Sequence, residues 1–331
     1  MNYKVRKSMD PLFEWNVPML YPDTPTFLGV PLAQEPADLE GVDVAIIGVP
    51  FEGTPGVARS YSNSLLTPIN LRKDSVKYGG YLPELDLDIF EHLKVVDYGD
   101  APICVRGDVK SSIASVQSKV ADVLAAGALP VVLGGTEICA AYGLVSALAE
   151  HSKIAVGALT LDAHGDNLEE HLGERWCSAT WIARMAELPK VRMDRHVHLG
   201  MRGPRNFKEQ VVWFREKGTT LYTAREIKDK GITQICHEIT ERIHRDTDKV
   251  FMNIDFDVLD LGCAPGLDEP LGLTVGELLQ LTYQVGKSGI DGFDVGWIPN
   301  AVAPLHWITV YAILYLLAGL IEGLKKEPRG I

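Results

Sequence analysis

Eight short runs dense in valine, isoleucine and leucine recur along the chain from residue 42, separated by stretches of helical period. They are VDVAIIGVPF from Val42, KVVDYGD from Lys94, LPVVLGG from Leu129, IAVGALTLDAH from Ile154, HVHLGMR from His196, TLYTARE from Thr220, KVFMNIDFDVLD from Lys249 and GIDGFDVGWIPN from Gly289. Several are apolar on consecutive positions rather than alternate ones. A strand of that kind needs cover on both faces, which a parallel sheet between two helix layers provides. The clearest crossover helices are Ser111–Ala126, Glu137–Glu150, Thr274–Val285 and Leu305–Lys325. The pattern therefore predicts an α/β protein, with residues 37–331 as a single domain, because no glycine- or proline-rich linker and no fixed-period repeat divides them.

The first 36 residues read differently. Six prolines interleave with Phe13, Trp15, Tyr21 and Phe27, which favours an extended arm, packed either on its own domain or on a neighbouring subunit. The apolar stretch Trp307–Ile321 is about 15 residues long, short of the roughly 18 to 20 that span a bilayer. It reads as a buried or interface helix, and no membrane partner is expected. Thirty-two basic against 44 acidic residues give a net charge of −12, which excludes a basic nucleic-acid platform and favours attraction of small cations. Five cysteines, odd in number and without a CxxC pair, indicate neither a disulfide framework nor a thiolate zinc site. A reducing cytoplasm suits them, and the N-terminus lacks the apolar core of a secretory signal.

The unusual polar residues close two of the apolar runs. The fourth ends in Leu161-Asp162-Ala163-His164-Gly165-Asp166-Asn167, and the seventh in Asn253-Ile254-Asp255-Phe256-Asp257. In an open α/β sheet ligands bind beyond the carboxyl ends of strands, so both segments are expected at one rim. Asp162, His164, Asp166, Asp255 and Asp257 form an oxygen-rich donor set suited to Mn²⁺ or a similar divalent ion. Two ions, about 3.5 to 4 Å apart, would balance so many carboxylates better than one. Other motifs carry less. Gly286-Lys287-Ser288 has the tail of a phosphate-binding loop without its first glycine, no GxGxxG follows a strand, and His196 with His198 reads as a structural pair.

With these residues in view, the chain resembles the ureohydrolase family of arginases, agmatinases and guanidinobutyrases, and most of all its agmatinase branch. The resemblance rests on Gly48-Val49-Pro50-Phe51, Gly134-Gly135, LDAHGDN, MNIDFDVLD with Ala264-Pro265-Gly266, and GFDVGWIP, across about residues 40 to 325. It implies a three-layer α/β/α domain around an eight-stranded parallel sheet, assembled as trimers or hexamers. It also implies two metal ions, Mn²⁺ or Ni²⁺, bridged by Asp162 and Asp255, with Asp166 completing the first and His164 and Asp257 the second. The implied reaction is attack of metal-bound hydroxide on a guanidinium carbon, which releases urea and an amine.

Three positions depart from the family pattern. Glu137, in Gly134-Gly135-Thr136-Glu137, stands where the family has a metal-binding histidine. It is either an oxygen ligand, making five carboxylates against four metal charges, or simply the start of a helix. Cys177-Ser178-Ala179 stands where a proton-handling histidine is usual, and His171 is either its substitute or a surface residue. Trp297 replaces a glutamate that binds the guanidinium, and it either offers an aromatic face to an alkylated cation or packs in the core. The expected catalytic residues are Asp166 and His171, and the expected substrate contacts are Trp297, Asn167 and Cys177. The function implied is hydrolysis of a guanidine-type or N-alkylated guanidine or biguanide substrate, as in guanidine hydrolase and metformin hydrolase, either alone or within a heteromer. The alternative is a non-catalytic subunit that partners an active paralogue.

Overall fold

The computed structural model describes residues 25–52, 64–103, 109–298 and 303–326. All eight apolar runs form strands of one sheet. In chain order they are β1 (Val44–Gly48), β2 (Val95–Asp100), β3 (Leu129–Leu133), β4 (Val156–Leu161), β5 (Val191–Met201), β6 (Thr220–Thr223), β7 (Lys249–Asp255) and β8 (Gly292–Gly296). Every pairing is parallel, and the spatial order is β2-β1-β3-β8-β7-β4-β5-β6.

Residues adjacent along a strand feed two separate cores, because side chains alternate across a sheet. Val44, Ile46, Val131, Leu133, Ile254 and Val295 point into one core, while Ala45, Ile47, Val132, Ala158 and Phe251 point into the other. Helices α1 (Thr67–Ser75), α6 (Ile232–His244), α7 (Val275–Ser288) and α8 (Ala303–Lys326) cover the first face. Helices α2 (Val109–Ala125), α3 (Ala140–His151), α4 (Trp181–Met185) and α5 (Lys208–Glu216) contribute to the second. This is the three-layer α/β/α arrangement expected from the sequence.

The apolar segment at the C-terminal end is long enough by length and composition to cross a membrane. In the structure it is spent on the core: Val310, Ile313, Leu314, Leu316, Leu317 and Ile321 of α8 are all buried. Helix α7 crosses it backbone to backbone, since a Cβ on Gly286 would lie 2.1 Å from the Leu316 carbonyl oxygen and one on Gly319 2.0 Å from that of Tyr283. Gly286 of the discarded phosphate-loop motif is thus a helix-crossing residue. Of the proposed N-terminal arm, residues 1–24 lie outside the described residues. Phe27 is fully buried, with its N–H donating to Asp97 at 2.8 Å.

Helix α3 begins at Ala140, three residues later than the sequence indicated. The intervening Gly134–Cys139 segment leaves the end of β3 as a tight turn. There Gly135 passes Phe51 so closely that a Cβ would sit 1.9 Å from its carbonyl oxygen, and Thr136 N–H donates to that same oxygen. Delaying the helix places Glu137 beside the carboxyl ends of β8 and β7 rather than on a solvated first turn.

Candidate metal centre

Strands β3, β8, β7 and β4 are consecutive neighbours at the middle of the sheet, and each delivers a polar residue at its carboxyl end. Glu137 follows β3, Trp297 follows β8, Asp255 ends β7 with Asp257 just beyond, and Asp162, His164 and Asp166 follow β4. The register enforces this, with Leu161 opposite Ile254 and Gly296 opposite Asp255. A cavity of about 470 Å³ opens there, with Glu137, His164, Asp166, Asp255, Asp257 and Trp297 on its walls.

Donor atoms of Asp162, His164 and Asp257 lie within 4.8 Å of one another. His164 Nδ1 is 2.7 Å from Asp257 Oδ2 and 3.6 Å from Asp162 Oδ1. Local backbone bonds preset the carboxylates: His164 N–H donates to Asp162 at 2.6 Å, Asp257 N–H to Asp255 at 2.9 Å and Ala163 N–H to Asp257 at 2.9 Å. Both Glu137 oxygens and Asp162 Oδ2 are buried with no hydrogen-bond partner. Unsatisfied buried carboxylate oxygens are costly unless a cation takes them.

The electrostatics agree. Burial and then Asp257 push Asp162 and Asp255 well above the usual carboxylate range. Burial brings Glu137 up to about 7, and burial followed by Glu137 brings Asp166 up to about 8. Asp257 goes the other way: burial would raise it, but His164 beside it holds it at about 2. The imidazole of His164, which burial alone would keep neutral, is raised by Asp257 to about 9. Without a cation this rim must hold extra protons, whereas divalent ions would displace them. The residues present therefore fit two divalent ions.

Glu137 faces the cavity floor, not a solvated helix start, and a Cβ on Gly296 would come within 3.0 Å of its Oε1, so the small residue leaves it room. His171 is half-buried and lines the cavity wall. It opens a hairpin in which His171 and Glu174 exchange 2.9 Å backbone bonds around Leu172 (φ 51°) and Gly173 (φ 83°). Trp297 also lines the cavity, in a left-handed conformation (φ 40°) that few non-glycine residues adopt. Cys177 contributes to the wall, but burial raises its thiol and no cation pairs with it among the described residues, so it remains a thiol. Asn167 is buried, its Nδ2 donating to the Gln210 carbonyl at 3.0 Å while its Oδ1 has no hydrogen-bond partner.

Two site residues escaped the sequence reading. Glu269 Oε1 lies 3.3 Å from His164 Nε2 and orients the imidazole from a loop 105 residues away. Arg202 stitches that loop down by donating to the carbonyls of Asp257, Leu259, Glu269 and Pro270. Neither carries a local motif; only the acidic character of LDEP hinted at Glu269.

His196 and His198 are structural. Thr219 donates to the Met193 carbonyl and so accepts from His196 Nδ1, which leaves His196 Nε2 to accept from Thr160, and Thr160 to accept from His198 Nδ1. Burial holds both rings neutral, His196 well below its ordinary value and His198 at about 3. Unfolding lets them titrate near 6.5, so their contribution is intact above that pH. As pH falls below it, about 1.4 kcal/mol is lost per unit for each ring until its folded pKa is reached. Urea midpoints at pH 7.5 and 5.0 should show a smaller acid loss in His196→Gln than in the wild type; equal losses would contradict a neutral buried ring.

Residues 42–304 match the model of the arginase family. A guanidinobutyrase of Pseudomonas aeruginosa is 27% identical over 268 residues, covering 80% of this chain and 81% of that protein. Among solved structures, the proclavaminate amidinohydrolase of Streptomyces clavuligerus superposes with a TM-score of 0.79 at 24% identity, over 92% of this chain and 99% of that one. A formiminoglutamase of Trypanosoma cruzi, solved with Mn²⁺, gives 0.76 at 23% identity, over 90% and 99%. Strand order, carboxylate rim and family match coincide: the chain belongs to the arginase family.

Proposed function

We propose that the protein is a binuclear-metal hydrolase that cleaves a C–N bond of a guanidine-type substrate, giving urea or a urea derivative and an amine. The observation that carries this reading is the convergence of Glu137, Asp162, His164, Asp166, Asp255 and Asp257 on one rim with carboxylate oxygens left unsatisfied. Two divalent ions, Mn²⁺ or Ni²⁺, would supply an activated water there. Asp162 and Asp255 would hold the ions together with Glu137, Asp166, Asp257 and His164, while Glu269 keeps the Nε2–H of His164 and leaves Nδ1 as the donor. His171, which lines the cavity, would carry a proton to the departing amine. Trp297 offers its aromatic face to an N-alkylated cation, the class that includes biguanides such as metformin.

Glu137 supports a second reading. Its extra negative charge opposes formation of hydroxide at neutral pH, as suits a subunit that holds metal but relies on an active paralogue. In either case residues 37–331 act as one unit, in homo- or hetero-oligomers, within a reducing compartment such as the cytoplasm where Cys139, Cys177, Cys236 and Cys263 stay thiols.

Calorimetric titration of the metal-free chain with Mn²⁺ or Ni²⁺ should give two ions bound per chain with proton release. Urea or amine release from guanidine-type compounds should follow. Glu137→His should raise metal affinity or rate roughly tenfold or more. Metal uptake without turnover until a paralogue is added would favour the second reading, and absence of metal binding would overturn both.

A further inference from the structure

The cavity above the carboxylate rim is much larger than a guanidinium group, and its walls are not uniformly acidic. Arg205 lines it, on the loop between β5 and α5. That loop is tied to its surroundings: Asn206 Nδ2 donates to the Ala163 carbonyl at 2.9 Å, and Phe207 N–H donates to Gln210 Oε1 at 2.9 Å. The Arg205 side chain is half exposed (56%), and its guanidinium uses one nitrogen only. Nη1 donates to Asp268 at 2.6 Å and lies 3.8 Å from Glu269, the carboxylate that orients His164. Nε and Nη2 have no hydrogen-bond partner among the described residues, so one edge of a planar, permanently charged fork stands open inside an acidic cavity.

Resting on the guanidine-hydrolase reading and narrowing it, we infer that Arg205 is an anion subsite, so that the substrate is an N-alkylguanidine whose alkyl arm ends in a carboxylate. The geometry separates the two charges of such a molecule. Its guanidinium is drawn to the acidic floor beside Trp297, and its carboxylate takes the two free Arg205 donors as a bidentate pair. A terminal ammonium in the same place meets Arg205 with like charge, and a methyl leaves the fork unpaired. Asp268 competes for the same guanidinium, so it weakens the subsite in the free protein.

The test uses Mn²⁺-loaded protein and three probes of similar length: 4-guanidinobutyrate, agmatine and butylguanidine. Binding is followed by calorimetry, and kcat/KM is measured wherever a probe is turned over. 4-Guanidinobutyrate is expected to lead the other two by at least tenfold. Arg205→Gln should remove that lead while leaving butylguanidine within twofold, Arg205→Lys should retain part of it, and Asp268→Asn, which frees the guanidinium, should enlarge it several-fold. The opposed signs of Arg205→Gln and Asp268→Asn separate recognition from damage to the loop. Agmatine or butylguanidine binding as well as the carboxylate, with ratios unmoved by either variant, would overturn the subsite and leave the hydrolase reading standing. Failure of all three probes to bind would overturn both.

Discussion

Replacing Asp255 by asparagine is expected to abolish metal-dependent hydrolysis, with a rate loss of at least roughly a thousandfold, equivalent to about 4 kcal/mol, and to reduce the bound metal below two ions per chain. Asparagine keeps an Oδ1 acceptor for the 2.9 Å bond from Asp257 N–H, so the 3₁₀ turn Phe256–Val258 after β7 survives and the defect is one of charge. The same substitution should stabilise the metal-free protein, by about 1 to 3 kcal/mol. Asp255 is buried among Asp257, Asp162 and Glu137, which push its pKa well above the usual range after burial itself has done so. Removing a carboxyl that the fold tolerates only as a proton- or metal-bound group relieves that repulsion. Metal stoichiometry and a thermal melt in chelator, taken together, check the claim. A metal-free variant that melts below the wild type would show that Asp255 serves the fold rather than a cation.

Arg72→Ala should be the most damaging change away from the site, with a loss of about 3 to 5 kcal/mol and a fall in Tm of roughly 6 to 12 °C. Arg72 of α1 is buried and grips Asp97 of β2 with two parallel bonds, Nε to Oδ2 at 2.8 Å and Nη2 to Oδ1 at 2.9 Å, and it also pairs with Asp100. Asp97 is fully buried and receives the N–H of Phe27 and Gly99 as well, so one carboxylate ties the edge of the sheet, a helix and the segment entering the domain. Truncating the arginine leaves that charge uncompensated in the interior, which costs far more than a surface ion pair is worth. The double variant Arg72→Met with Asp97→Leu should recover much of the loss, because no lone charge remains. A single-variant loss below about 1 kcal/mol would mean that water reaches Asp97 when the arginine is gone.

The sheet was legible because its evidence is local. Consecutive apolar positions from Val44 to Ile47 or Val131 to Leu133 require cover on two faces wherever they lie, and the structure divides alternate residues between two cores. The rim was legible for a related reason: Asp162-Ala163-His164-Gly165-Asp166 and Asp255-Phe256-Asp257 are short motifs whose spacing survives without knowledge of the rest of the chain. Helix starts were less legible. Glu137 could be read as an oxygen ligand or as a first-turn acid, and only the passage of Gly135 across Phe51 shows why the helix waits until Ala140.

The sequence by itself determined an eight-stranded α/β protein with a carboxylate-rich rim, since strand burial and ligand spacing are properties of neighbouring residues. The tertiary structure alone decided which side chains share that rim. It bonded Asn167 to the Gln210 carbonyl, put His171 and Trp297 on the cavity wall, set Glu269 behind His164, and left one edge of Arg205 without a partner among the described residues. Those roles depend on contacts between loops far apart in the chain, and such contacts exist only once parallel strands have brought their carboxyl ends side by side.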